Sequence, residues 1–238
     1  MMKYFKIIIP AILVFIIGIY IYNHGVRDLF TLGAVKRVRV QGVEALEREV
    51  EINEKKFWDK MQSMEQVGES YKKLGIKYAE MKSWTPAIDT LTKAIEHGQS
   101  GAYVHYWLGI AYANRGNELK NKSDIDKAEA SYKRALEKIP TLTHAEYGLA
   151  LLYFYLKEDR GKGLQMMNDI VRKKPDYFDA HFALGRFYYE NDEKNKSLSV
   201  YQNLYSLLES KKESFQITEL KKNCQTNITQ LMMEISPR

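Results

Sequence analysis

Cysteine is almost missing from this 238-residue sequence: Cys224 stands alone. A single thiol excludes an intramolecular disulfide framework and any cysteine-based metal cluster. Proline is scarce, at five residues, and no Gly/Ser/Pro-rich tract occurs. There is no block of one charge either. The net charge of +6 is spread evenly, +2 in each of residues 1–67, 68–209 and 210–238. An even spread describes a solvated surface and not a basic face for nucleic acid, so no nucleic-acid partner is expected. Chemistry-bearing constellations are absent as well. The run DRGKGL around Gly161 and Gly163 lacks the length and the Lys-Ser/Thr ending of a phosphate-binding loop. His105, His144 and His181 fall 39 and 37 residues apart, with no carboxylate or cysteine at ligand spacing. No catalytic, metal or cofactor residue is nominated, and the expectation is a protein that is not an enzyme.

What is present begins with an apolar run. Residues 7–22, IIIPAILVFIIGIYIY, carry no charge. Taken from Tyr4, with Lys6 snorkelling, the run is long enough as a helix, roughly 28 Å, to match a bilayer core of about 30 Å. Tyr4 at one end and Tyr20 and Tyr22 at the other suit the two interfaces. The following YNHGVRDLF offers no small-residue cleavage site. Residues 1–23 are therefore expected to be a single-pass membrane anchor. The flanking basic residues are nearly balanced, and a short amino-terminal leader favours a cytoplasmic amino terminus. The expected setting is a bacterial inner membrane, with the remaining domain outside the cytoplasm.

Residues 24–42 read as a juxtamembrane linker, in which Lys36, Arg37 and Arg39 are placed to meet anionic headgroups. From Val43 a helical stripe runs through Leu46, Val50, Phe57, Met61 and Met64, interrupted by Asn53. A stripe of this kind must be buried against something. Packing of this 43–67 helix on the following domain and pairing with a second copy as a homo-oligomer both remain open.

The strongest signal is internal repetition. YKKLGIKY, HYWLGIAY and HFALGRFY share a large–small pair with an aromatic three residues on: Leu74, Gly75 and Tyr78; Leu108, Gly109 and Tyr112; Leu184, Gly185 and Tyr188. EYGLALLY carries Leu149, Ala150 and Tyr153 in the same phase. The small positions are spaced by 34, 41 and 35 residues. Each segment is followed by a second helical pattern with a small residue near its start: Ala87, Ala128, Gly163 and Ser197. Two antiparallel helices approach closely only where a small residue lies at the crossing. One such pair cannot bury both of its faces, so pairs stack. Pro140 and Pro175 close the second and third units.

This pattern resembles the tetratricopeptide repeat (TPR), a 34-residue helix–turn–helix unit. Four units are expected, over about 68–101, 102–142, 143–177 and 178–211, followed by a capping helix and tail over 212–238. Cys224 is read as a buried small hydrophobe in that cap. The second unit departs by seven extra residues, read as an inter-helix loop over 117–124. The third unit departs at Ala150 and Gly163, and the fourth at Ser197 and Leu204. The resemblance implies an all-α fold, a right-handed superhelix of stacked helix pairs, carried by the amino-terminal transmembrane helix.

The resemblance also implies an inner face lined by the first helix of each unit. By phase that face holds Tyr103, Tyr106, Ile110 and Asn114 in unit two. It holds Tyr147, Leu151, Phe154 and Tyr155 in unit three, and Phe182, Arg186 and Tyr189 in unit four. These aromatics suit a helix or extended peptide. Lys72, Asn114 and Arg186 are scattered and do not make the cationic clamp that some family members use for a peptide carboxylate. The expected function is a membrane-tethered scaffold or adaptor that recruits a protein or peptide partner through this groove. The alternative is a structural component that self-assembles through the 43–67 helix and the repeat surfaces.

Overall fold

The computed structural model describes the backbone of residues 35–236 and the side chains of residues 45–236. The expected membrane anchor, residues 1–23, lies outside the described residues. None of the described helices is long and apolar enough to cross a membrane. Among the described residues the fold is all-α, with nine helices and no strand. They are α1 (Val35–Glu80), α2 (Trp84–Glu96), α3 (Ala102–Glu118), α4 (Lys122–Lys138), α5 (Thr143–Tyr155), α6 (Arg160–Lys173), α7 (Phe178–Glu190), α8 (Lys194–Glu209) and α9 (Phe215–Ile235). The chain divides into two units, Met1–Gln62 and Ser63–Arg238. All the helix pairs lie in the second.

One helix, α1, runs where the sequence reading has a linker up to residue 42, a separate helix over 43–67 and then the first repeat helix. Its glycines, Gly42, Gly68 and Gly75, each cost helix propensity of about 1 kcal/mol. No proline falls within it, and so nothing stops it before Glu80.

Beyond Ser63 the helices alternate as antiparallel pairs. The end of α1 packs on α2, α3 on α4, α5 on α6 and α7 on α8, and α9 then lies against α8. Each pair is closed where the small residues fall. A side-chain carbon at Gly75 would lie 2.6 Å from Leu91 Cγ, and one at Gly109 would lie 2.7 Å from the Tyr132 ring. One at Gly185 would land on the Tyr201 ring. Tyr132 is held from the other side too, because a carbon at Gly148, in the next unit, would lie 2.8 Å from the same ring. Two glycines on two units thus clamp one tyrosine. Ala87, Ala128, Ala150 and Ser197 are fully buried at the matching crossings, and Ser197 Oγ donates to the Gly185 carbonyl at 2.8 Å.

In the third pair the closest approach is at Gly163. A methyl there would meet Phe154 Cβ at 2.7 Å, the Phe154 backbone nitrogen at 2.9 Å and the Ala150 carbonyl at 3.0 Å. Backbone atoms cannot swing aside. Gly163→Ala is therefore expected to destabilise the fold by about 1–3 kcal/mol, although alanine is the better helix former by about 1 kcal/mol. Gly161, two residues earlier, faces open space, and Gly161→Ala should raise stability slightly. Urea unfolding of the two variants side by side checks the opposite signs.

The second pair corrects the loop reading. α3 and α4 are each 17 residues long, against 13 and 14 for α5 and α6, and only residues 119–121 connect them. Seven residues are close to two helical turns. The insertion therefore adds about one turn to each helix and leaves the phase of the pair intact. The lengthened end is fastened by a bidentate pair, Arg115 Nε to Asp124 Oδ2 at 2.7 Å and Arg115 Nη2 to Asp124 Oδ1 at 2.9 Å. Asn121 caps α4, its side chain accepting from the Ser123 and Asp124 backbone amides.

The hairpin turns inside the four pairs share one device. Lys82, Lys120, Glu158 and Asp192 have φ of 57°, 52°, 56° and 61°. In each turn the following amide bonds back across the helix end, as from Ser83 to the Tyr78 carbonyl and from Asn121 to the Gly116 carbonyl. Two of the three turns between pairs use histidine. His105 Nε2 lies 3.2 Å from Ser100 Oγ, and His181 Nε2 lies 2.9 Å from the Pro175 carbonyl oxygen. Burial holds both imidazoles below their ordinary pKa.

Stacking between pairs is apolar. Leu108, Leu149 and Leu184 are buried among residues of the preceding helix pair. Leu74, the same position in the first pair, is 44% exposed, because among the described residues no helix pair precedes it. Tyr78, Tyr112 and Tyr188 are half-buried, and Tyr153 is buried. Glu129 ties α4 to α5: its carboxylate accepts from Tyr153 Oη at 2.6 Å and from Lys157 Nζ at 2.7 Å. Burial raises its pKa, but the hydrogen bonds from Lys133, Lys157 and Tyr153 outweigh that and hold it at about 2. At the far end Cys224, Ile228 and Leu231 of α9 are buried against α8, and burial pushes the Cys224 thiol up to about 11.

Candidate functional site

The first helix of each pair carries its small residue toward its partner helix, and this fixes which side is left facing away. In α5 and α7 the side left over lines, together with α8 and α9, a concavity of about 480 Å3. Tyr147, Leu151 and Tyr155 come from α5, and Asp179, Phe182 and Arg186 from α7. Tyr201 closes the floor from α8, and Leu220, Asn223, Thr226 and Asn227 form the wall from α9.

The floor is aromatic, the wall is polar, and the phenol oxygens of the floor are directed. Tyr155 Oη donates to Glu190 Oε1 at 3.0 Å, and Tyr201 Oη donates to the Phe182 carbonyl at 3.3 Å. Burial, helped at Tyr155 by the Glu190 carboxylate, pushes both phenols up to about 12. Both rings therefore stay neutral at any ordinary pH. Among the described residues no carboxylate pairs with Arg186 within 4.0 Å, so an exposed cation lines the aromatic hollow. Such a site accepts an apolar side chain next to a carboxylate or a carbonyl oxygen.

The inner-face residues expected from the sequence fall into three groups. Tyr147, Leu151, Tyr155, Phe182 and Arg186 are brought together in the concavity. Tyr103 lies instead in a second hollow of about 510 Å3, with His144, Tyr177, Lys173 and Lys174. Edge-on rings join the two hollows, His144 to Tyr177 with centroids 5.5 Å apart and Tyr147 to Tyr177 at 5.6 Å. Tyr106 and Ile110 pack half-buried on the core between the second and third pairs. Asn114 is turned back on its own helix, Nδ2 donating to the Ile110 carbonyl at 2.8 Å. Tyr189 donates to Glu234 of α9 at 3.3 Å and lies outside the concavity.

Phe154 is a correction. It is not on the inner face but in the core, 2% exposed, its ring stacked on Phe187 at 3.7 Å and 4°. Tyr155 is the next residue, and on a helix a step of one residue is a turn of about 100°. The wall from α9 is what the sequence reading left out. Its signal was available: Leu220, Asn223 and Thr226 recur every three residues beside the buried positions Cys224, Ile228 and Leu231.

Comparison with known proteins bears on the fold. No family model matches the chain. The chain is 18% identical over 163 residues to a TPR repeat-containing protein of Borreliella burgdorferi, covering 67% of this chain and 71% of that relative. A thermophilic TPR protein of Thermus thermophilus superposes with a TM-score of 0.57 at 16% identity, over 81% of this chain and 96% of the other. MamA from Desulfovibrio magneticus RS-1, from residue 41 to its end, superposes with a TM-score of 0.50 at 19% identity, over 70% and 94%. At these identities the likeness is one of fold: the chain is a TPR-like α-solenoid.

Proposed function

We propose that this protein is a membrane-tethered interaction scaffold, which holds a segment of a protein partner in the concavity between α5, α7 and α9. The observation that carries the reading is the convergence of Tyr147, Leu151, Tyr155 and Phe182 around Arg186, which has no carboxylate partner among the described residues. The ligand is an extended or helical peptide that presents an apolar side chain beside an acidic one. The tether is the apolar run 4–22, as a single span of a bacterial inner membrane with the solenoid outside the cytoplasm. The function is recruitment and assembly, without catalysis and without nucleic acid.

The test is recovery of partners by the full chain from native membranes. Arg186→Glu and Leu151→Ala should each lower capture of the same partner, the first on the order of tenfold, as loss of a charge-assisted contact would. Glu137→Lys, on the exposed side of α4, should leave capture unchanged. Equal capture by all three variants removes the groove from the account.

A second reading is self-assembly through the 43–67 helix. It has one specific observation behind it: Leu46, Phe57, Met61 and Met64 of α1 are all more than a third exposed.

A further inference from the structure

α7 brings Asp179, Phe182 and Arg186 to the concavity. Their spacings of three and four place them in one row on one face of the helix. The row has a carboxylate at one end, a cation at the other and an aromatic ring between. Seven residues of helix part the two charges by about 10 Å along the axis, too far for them to pair with each other. Both are exposed, and among the described residues neither has an oppositely charged partner within 4.0 Å. Glu190, one turn past Arg186, is engaged by the Tyr155 phenol and does not line the concavity.

The two charges stand in different settings. At the Asp179 end Tyr147 and Tyr177 meet edge-on, with ring centroids 5.6 Å apart. Burial raises both phenols, Tyr177 to about 12, and the Asp179 charge adds to it. Arg186 acts on Tyr147 in the opposite sense, so this phenol feels both ends of the row. A carboxylate beside phenol rings is a site for a cation, because the faces of the rings attract it as the carboxylate does. At the other end the Arg186 charge acts on Tyr155 and Tyr201, and Leu151 and Phe182 supply apolar surface. Near the start of α7 Asp179 also suits the positive end of that helix. That effect runs along the axis and does not require the carboxylate to face the concavity.

We infer that the concavity selects its occupant by the order of charges. The occupant is an extended segment of a partner protein with a lysine or arginine toward Asp179, an acidic residue toward Arg186 and apolar residues between. A chain in the polyproline II form turns once in three residues and rises about 9 Å in doing so, which puts residues three apart on one face and spans the row. A free amino acid cannot span it, since one carbon bears both of its charges. The inference rests on the peptide-holding reading of the concavity and adds the basic residue and the spacing to it.

Four synthetic peptides, capped at both ends and sharing the centre Leu-Phe, test it by fluorescence polarisation with the full chain in mild detergent. Their outer residues are Lys and Glu in either order, two Glu, or two Lys. A mixed-charge peptide should bind on the order of tenfold more tightly than either like-charged one, as a single charge-assisted contact would give. Asp179→Lys should move the preference to the two-Glu peptide, and Arg186→Glu to the two-Lys peptide. The double exchange should return it to a mixed peptide, a recovery that a loosened groove would not give. A wild type that prefers the two-Glu peptide, with Asp179→Lys making no difference, overturns the inference and leaves the reading beneath it. Binding that ignores the outer residues but falls with Leu151→Ala does the same. Binding of none of the four, or binding untouched by Leu151→Ala, overturns both.

Discussion

Phe154→Ala is expected to lower the stability of the solenoid by about 3–5 kcal/mol, in the range measured for aromatic truncation in a packed core. The ring is fully enclosed. It stacks on Phe187 of the next pair, and the Arg160 guanidinium lies 5.3 Å from its other face. Gly163 presses against its backbone, so the neighbours cannot collapse into the void without parting α5 from α6. The position joins two stacking interfaces, and its loss weakens both. Tyr155→Ala, next in sequence but on the wall of the concavity, should cost far less stability while altering partner capture. Urea midpoints of the two variants separate a core aromatic from a surface one. Equal midpoints would contradict the placement of Phe154.

The second large effect is expected at Asp124. Its side chain is 3% exposed and its partner Arg115 19% exposed. The Arg115 hydrogen bonds hold the carboxyl below the usual carboxylate range against the opposing effect of burial. Asp124→Asn keeps the volume but leaves a guanidinium half-buried without its counter-charge, a loss of about 3 kcal/mol, since removing one partner of a buried pair is the costly way to break it. The sign with pH follows from the depressed folded-state pKa. The contribution is full above the unfolded value of about 3.9 and is lost as pH falls through the lower folded value. The stability gap between wild type and Asp124→Asn should therefore be constant at neutral pH and shrink below about pH 4. Glu129, held at about 2, loses its contribution in the same acid range in both proteins and cancels in the comparison. A gap that widens on acidification would contradict the pairing.

The register of the pairs was legible because it rests on a hard contact. A glycine or alanine at 75, 109, 150 and 185 marks where two backbones meet, and no larger residue is tolerated there. What escaped was decided by phase and by context. The seven residues added to the second unit look like a loop in sequence, but seven is two turns, and the helices simply lengthen. Lys82, Lys120, Glu158 and Asp192 adopt positive φ in turns where sequence alone would ask for glycine. Phe154 and Tyr155 are both aromatic, and the pattern could not say which of two neighbours faces the core. Leu74 has the same identity as its three equivalents and a different environment, because exposure depends on what precedes a repeat in space. The α9 wall of the concavity belongs to no repeat, so aligning the repeats could not reveal it.

The measurement that tests the account most directly is site-specific photo-crosslinking of the full chain in native membranes. A photoreactive residue at Leu151, inside the concavity, is compared with one at Glu137, on the exposed side of α4. The account predicts a discrete protein adduct from position 151 and none from position 137. Adducts from position 137 with none from position 151 would contradict it.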